Sequence, residues 1–463
     1  MNRRKFLHYS GTAGVGTLIA VDDFPTNVIS REKGYVSESR RDIPVKGEFD
    51  VIVCGGGPAG IAAAIESGRT GAKTMLIENN GCLGGIWTSG LLTWILDYYQ
   101  QPGLLKEITE KLRERGAGCP VDTSTASFSF DPEAMKLLLD ELCLDAGVTL
   151  RLHSRVCGAS TNRRRLTHVI TESKSGREAW AANIFVDATG DGDLAALAGC
   201  GFDFGDPENS FSSQPFSLLG IVAGIRFEEV KEFTRWVGDK NSISKKNLLE
   251  AIQKGGFEPS YRQPSLFPVT MELFMIMANH EYGFSPFNAD DVTKATLTGR
   301  KEFHQVIAAL RNNGGIWKNI RIISTAEQIG TREGRRIHGL YTVSANDLIQ
   351  GMHHDDAVAE VRFGVDVHSV LKAHDDKTAG YNRGIRSKPY TIPLRSLIAK
   401  DVDGLLLAGR CISGDFISHS SYRVTGPVTT IGQAAGRVAA ISAAERTLPQ
   451  KIGFKQFGLP VFV

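Results

Sequence analysis

Several chemical signatures are missing from this 463-residue chain, and each absence closes a class of function. No Gly-Lys-Ser or Gly-Lys-Thr occurs, so a triphosphate-binding P-loop is excluded. The seven cysteines (Cys54, Cys82, Cys119, Cys143, Cys157, Cys200, Cys411) are odd in number, scattered and free of C-x-x-C. That argues against a zinc site, an iron–sulfur cluster or an attached haem, and no metal is expected. Most of these thiols read as small buried hydrophobes. Charge of either sign is not in excess: the net value is +2, which gives no reason to expect a nucleic-acid partner. Arg163-Arg164-Arg165 reads as a solvated hairpin tip. No internal repeat is evident, and no stable membrane span is expected.

An A-x-A cleavage site is also lacking, although the chain opens MNRRKFLHYSGTAGVGTLIAV. Arg3-Arg4, then Phe6-Leu7 and a short Gly-rich apolar segment, resemble a twin-arginine export signal. That route serves proteins that fold and load a cofactor before crossing the membrane. It implies a periplasmic or otherwise exported protein, with Ala20 or Ser30 as cleavage positions, and residues 1–46 as signal and linker. Folding before export also accounts for the absence of a disulfide framework.

What is present begins at FDVIVCGGGPAGIAAA, residues 49–64. Val51, Ile52, Val53 and Cys54 read as a parallel strand buried on both faces. Gly55, Gly57 and Gly60 match G-x-G-x-x-G: a tight turn, a close approach of backbone to a diphosphate, and close packing of helix on strand. Pro58 suits a first helical turn and Ala59 keeps the helix slim. The free N–H groups of that turn would face the diphosphate. A second apolar strand, Lys73 to Ile77, ends in Glu78, placed to accept hydrogen bonds from both adenosine ribose hydroxyls and to repel a 2′-phosphate. This stretch alone leaves NAD and FAD open.

Beyond Glu78, Gly84-Gly85 and Thr88 offer close-approach backbone and a small hydroxyl. Helical periodicity covers 103–115, and a second helix opens with Asp131 as N-cap, Pro132 at its first position and Glu133 in its first turn. Three strands follow (VTLRLHSRV, LTHVITES, AANIFVDATG), with turn signals between them that predict a β-meander. Val156 closes the first of them and is a cofactor-contact candidate.

The last strand runs into IFVDATGDGDLAALAGCG at 184–201. This segment resembles the second FAD motif of flavin-dependent oxidoreductases distantly related to fumarate reductase flavoproteins. Blocks at 327–347, 390–398, 403–413 and 420–436 resemble that family in the same order, from about residue 48 to 442. The resemblance implies FAD, with contacts from Asp187, Ala188, Thr189, Gly190 and Asp191, from Gly409 and Arg410, and from Gly426, Pro427 and Val428. The last three open a helix whose N-terminus would face the flavin C2 carbonyl. One departure is Arg410, where many relatives carry a ribitol-binding acid; Asp415 or backbone groups would have to substitute. The implied fold is α/β: a Rossmann-like FAD-binding domain (parallel sheet with β-meander) and an inserted α+β substrate domain. Residues 47–204 and 326–450 would form the first and 205–325 the second, with 451–463 as a tail.

A second strand–G-x-G-x-x-G–helix unit is absent, since G-T-A-G-V-G at 11–16 follows no strand. Electrons are therefore expected to come from a small-molecule substrate and to leave to oxygen or a redox partner. ISHSSYRV at 417–424 is expected in a loop beside the isoalloxazine and supplies His419, Tyr422 and Arg423 as catalytic candidates. Asp366-Val367-His368 offers His368, while Arg335, Arg336 and Arg395 are candidate cations for a carboxylate substrate or the diphosphate. The expected activity is dehydrogenation of a small organic molecule by hydride transfer to flavin N5. The alternatives are a fumarate-reductase-like reductase of an activated double bond and a non-catalytic flavin-binding protein.

Overall fold

The computed structural model describes residues 38, 42–123, 127–372 and 382–459. The Arg3-Arg4 motif and the export reading built on it lie outside these residues. From Ile43 onward the chain forms one compact unit.

Its centre is β1 (Val45–Cys54), whose last four residues are fully buried. Parallel neighbours on both sides explain the unbroken Val-Ile-Val-Cys run. On one side Val51–Cys54 pair with β2 (Thr74–Ile77), and on the other with Ile184–Asp187 of β6 (Gly176–Asp187). β3 (Thr149–Arg151) extends the sheet beyond β2. The antiparallel β4 (Arg155–Asn162) and β5 (Arg165–Ser173) continue it from β6, giving the order β3-β2-β1-β6-β5-β4. The meander is present, with one difference: VTLRLHSRV is two strands. His153 adopts φ 51° between them, which breaks the extended run and separates a parallel strand from an antiparallel one. β6 forks, pairing its first half with β5 and Phe185–Asp187 with the final strand, β11 (Leu405–Leu407).

A second sheet, β8-β9-β7-β10, is wholly antiparallel: β7 is Gly220–Ala223, β8 Ser265–Pro268, β9 Phe274–Met277 and β10 Arg321–Thr325. Helices α4 (Ile243–Lys254) and α5 (Ala289–Asn312) supply apolar residues to its core. Phe216, Leu248, Phe274, Phe303 and Leu310 form this core, separate from the one around the first sheet.

Helices α1 (Pro58–Arg69) and α3 (Pro132–Asp145) pack on the first sheet, and α2 (Leu104–Glu114) packs on α3. Asp131 caps α3 as its sequence requires, accepting the Glu133 N–H at 2.8 Å and the Ala134 N–H at 3.3 Å. Near the C-terminus come α6 (Phe416–Tyr422) and α7 (Thr425–Ala444). α7 lies directly on α1 because two of its residues have no side chain. A Cβ on Gly432 would stand 2.1 Å from the Ala59 carbonyl oxygen, and one on Gly436 2.0 Å from that of Ala63. Gln433 and Arg437 on the same helix bond the two oxygens of Glu66 on α1, at 2.9 and 3.1 Å.

This contact yields a stability prediction. Gly432→Leu should force α1 and α7 apart and cost about 1–3 kcal/mol in denaturant unfolding. Gly364→Ala, whose new methyl would meet only the Ser387 hydroxyl at 3.5 Å, should stay within about 0.5 kcal/mol of the parent. Equal midpoints for the two variants would show that the helices are not in obligatory contact.

Candidate active site

The glycines of the β1–α1 turn each answer a different steric demand. Gly55 has φ 99°, and a Cβ there would lie 2.4 Å from the Ala188 carbonyl oxygen. A Cβ on Gly60 would lie 1.7 Å from the Gly55 carbonyl oxygen, so this residue fixes helix on turn from behind. Gly57 is different: no atom of the described residues lies within 4 Å of the place its Cβ would occupy. It faces an open cavity of about 340 Å³. The backbone can therefore approach a diphosphate there, which is what the motif demands.

Glu78, at the end of β2, is buried and lines the same cavity. Its carboxylate accepts the Gly56 N–H at 2.5 Å and the Asn80 N–H at 2.7 Å, which fixes the acid at the cavity edge. Pro58, Ala59, Gly85, Val156, Ala188, Thr189, Gly190, Asp191, Gly409, Arg410 and Val428 line the cavity too. Two helix N-termini thus meet there, that of α1 at Pro58 and that of α7 at Thr425 and Val428. Neither N-cap residue, Gly57 or Val424, offers a side chain to the first-turn N–H groups, which stay available to an anionic ligand.

Other candidates shape the site without lining it. Asp187 is fully buried and accepts from the Thr189 N–H at 3.0 Å, the Thr189 hydroxyl at 2.7 Å and the Ala195 N–H at 2.8 Å. It holds the turn that carries Thr189–Asp191, and burial raises its pKa to about 6. Gly84 has φ 103°, and Thr88 donates its hydroxyl to the Leu83 carbonyl at 2.5 Å. Gly426 packs on strand-end backbone: its Cβ would be 2.2 Å from the Asp97 carbonyl oxygen. Pro427 is buried beside it in the first turn of α7.

Asp415, the candidate substitute for a ribitol-binding acid, does not line the cavity. It is the N-cap of α6, accepting the Ser418 N–H at 2.7 Å, and it binds the Ala345 N–H at 2.7 Å. Arg410 instead donates to Asp191 Oδ1 at 2.6 Å and to the Thr331 hydroxyl at 3.0 Å. The cavity edge at the last strand is thus an ion pair whose acid comes from the second motif.

The expected catalytic loop is a helix. Asp415 caps it, so His419 lies inside α6 with no exposed surface, and neither ring nitrogen has a hydrogen-bond partner among the described residues. Burial, then the charges of Arg336, Arg423 and Arg410, push its pKa well below the ordinary value. His419 does not line the cavity. Tyr422 is buried, with its hydroxyl donated to the Ile412 carbonyl at 3.1 Å. The predicted cations also find structural partners. Arg335 binds Asp193 Oδ1 at 3.0 Å, Arg336 binds Glu333 Oε1 at 3.3 Å, and Arg395 binds Asp356 at 3.0 and 3.1 Å.

Arg423 does line the cavity. Its Nη2 donates to the Asp366 carbonyl at 2.7 Å and to Gln214 Oε1 at 3.3 Å. Asp366 Oδ2 stands 3.3 Å from His368 Nε2, and Gln214 Oε1 also accepts the His368 N–H at 2.9 Å. His280 lies beyond, 5.0 Å from the His368 ring and 3.9 Å from that of Tyr261, centroid to centroid. Burial, then the Arg332 charge, lowers the His368 pKa to about 4, while Asp366 is held below the usual carboxylate range by His368 and Arg423 against its burial. Gln214, Tyr261, His280 and Arg332 were not legible in the sequence. Only Arg332 stood inside a recognisable block, one residue away from the glutamate that precedes Arg335 and Arg336 by two and three positions.

A parallel sheet, a glycine turn, an acid at the end of the second strand and two helix N-termini around one cavity define a dinucleotide-binding flavoprotein fold. The chain belongs to the FAD dependent oxidoreductase family, whose model matches residues 50–458. The open space at Gly57 with Glu78 at its edge fits FAD. Curated relatives match over short stretches. Dihydrolipoyl dehydrogenase of Trypanosoma brucei brucei is 48% identical over 46 residues, a tenth of either chain. Pseudooxynicotine dehydrogenase of a Pseudomonas species is 31% identical over 122 residues, 23% of either. The chain thus spans under a quarter of the length of these relatives. A geranylgeranyl bacteriochlorophyll reductase-like structure from Thermoplasma acidophilum aligns over 89% of this chain and 82% of its own, with 13% identity and a TM-score of 0.48.

Gly57→Val should fold, since its side chain meets no protein atom, yet come out colourless because it fills the diphosphate space. Purified parent protein should be yellow and release FAD on denaturation. A yellow Gly57→Val protein, or release of NAD or FMN by the parent, would overturn the placement.

Proposed function

We propose that the enzyme dehydrogenates a small organic substrate, with oxygen or a redox partner as final electron acceptor. The observation that carries this reading is Arg423: it lines the cofactor cavity and is bonded directly to Asp366, which holds His368. Bound FAD supplies a two-electron acceptor for a hydride at N5. Gly55, Gly57 and the first turn of α1 would hold its diphosphate, Glu78 its adenosine ribose, and the first turn of α7 its ring. His368 is the base that takes the accompanying proton. Burial keeps its imidazole neutral, and Asp366 orients the ring and stabilises the cation that forms. Gln214 positions both sides of this arrangement by accepting from the His368 N–H and from Arg423. The lobe around the second sheet would close over the substrate. The basic opening Arg3-Arg4 with Phe6-Leu7 supports an exported location; Lys at both arginines should then trap the protein in the cytoplasm, and unchanged periplasmic yield would count against that route.

The activity is tested by anaerobic bleaching of the holoprotein against sugars, hydroxy acids, amines and enoates. With the substrate found, His368→Ala should keep FAD and slow flavin reduction by about 10²–10⁴. His368 is neutral above about pH 4 in the empty site, so the parent kcat/KM should fall as pH drops through that value, and the variant should lose this limb. His419→Ala, altered inside α6, should keep the parent pH profile. Parent-like reduction in His368→Ala across the pH range would remove His368 from the mechanism.

A further inference from the structure

The Arg423 side chain is 11% exposed, and three of its five N–H donors make no described hydrogen bond. Nη2 makes both of its described hydrogen bonds, to a backbone carbonyl and an amide oxygen. Nε is buried without a partner, and Nη1 donates to no described group. Among the described residues the nearest carboxylate oxygen, Asp366 Oδ2, stands 3.8 Å from Nη2 and is closer to His368. A guanidinium this poorly neutralised is costly to bury. Burial accordingly pulls its pKa down to about 10, against the opposing field of Asp366. Such a group at the edge of a ligand cavity is the usual arrangement for receiving a planar anion, because its donors form a rigid fork that matches a carboxylate. What stands beside it sets the rest of the ligand. His368 does not itself line the cavity, but it shares both Asp366 and Gln214 with Arg423, so cation and base are neighbours.

We propose that the substrate is a small 2-hydroxy carboxylate, bound with its carboxylate on Arg423 and its hydroxyl toward His368. This rests on the dehydrogenase reading above and adds the substrate class. The balance is simple. The carbinol C–H leaves as hydride, carrying two electrons to the bound FAD, and the O–H proton passes to the His368 imidazole. The C–O bond becomes C=O, so the product is the 2-oxo carboxylate.

The test separates binding from turnover. 2-Hydroxy-2-methylpropanoate carries both recognition groups but has no hydrogen on its carbinol carbon, so it cannot be oxidised. Added to oxidised holoprotein, it should perturb the visible flavin spectrum saturably, and its primary amide should bind at least tenfold more weakly. Arg423→Gln should keep FAD and lose at least tenfold in affinity for the acid. Arg423→Lys, which keeps the charge and most of the packing, should fall between the two. No saturable binding of the acid, equal binding of acid and amide, or parent affinity in an FAD-loaded Arg423→Gln protein would each overturn the proposal. The acid–amide comparison needs no variant and so survives any folding defect. If the acid binds as expected but no 2-hydroxy acid in the panel bleaches the flavin, the dehydrogenase reading fails while the anion site stands.

Discussion

The contact on which the site depends is the close approach of α1 and α7. Gly432 and Gly436 let α7 lie against the carbonyls of Ala59 and Ala63, in matching order along both helices. The helices therefore run side by side in the same direction, and their N-termini arrive at one cavity. Two sets of unspent N–H groups and two positive dipole ends then face the same ligand. The ends of β1, β2 and β6 supply the rest of the rim, through the glycine turn, Glu78 and the Thr189–Asp191 turn. Asp187 makes that last turn rigid by taking three donors onto one buried carboxylate. Without the two glycines of α7, the second helix end would stand away from the cavity.

The rim shows how one chain satisfies a steric and an electrostatic requirement with residues far apart in sequence. Arg410 follows the final strand, where an acid was expected, and would leave an unpaired cation against the cofactor. Asp191, 219 residues earlier, neutralises it at 2.6 Å. Parallel pairing of β11 with the end of β6 brings the two together. The acid is not missing from this end of the cavity; it arrives in the turn after the neighbouring strand.

Much of the cofactor side was legible because it is made from local backbone demands. The glycine turn, the acid after β2, the α3 cap and the meander each have a short-range signature, and the structure carries all of them. Their failures are equally local: His153 broke a strand that periodicity alone could not divide. The substrate side is different. His419 was expected in a loop beside the flavin, but Asp415 caps the segment into a helix in which the histidine is buried. REGRR offered cations, yet Glu333 and Asp193 claimed Arg336 and Arg335. Gln214, His280 and Tyr261 are joined to His368 only by tertiary contact across the second sheet and its helices. No spacing rule links residues 214, 261, 280 and 368, so this cluster had no sequence signature to find.

The position of Asp366 gives the cluster a further physical property. One carboxylate faces two groups that compete for it: the His368 ring at 3.3 Å and the Arg423 guanidinium at 3.8 Å. Both cost free energy when charged in a buried site, and one negative charge cannot fully stabilise two positive ones. His368 therefore stays neutral. An organic anion seated on Arg423 changes that balance. It supplies a second negative charge, so the protonated form of His368 becomes more favourable and its pKa rises above about 4. Substrate binding and basicity are then coupled, each favouring the other by the same free energy. The base would be weak in the empty site and stronger when the molecule it serves is present.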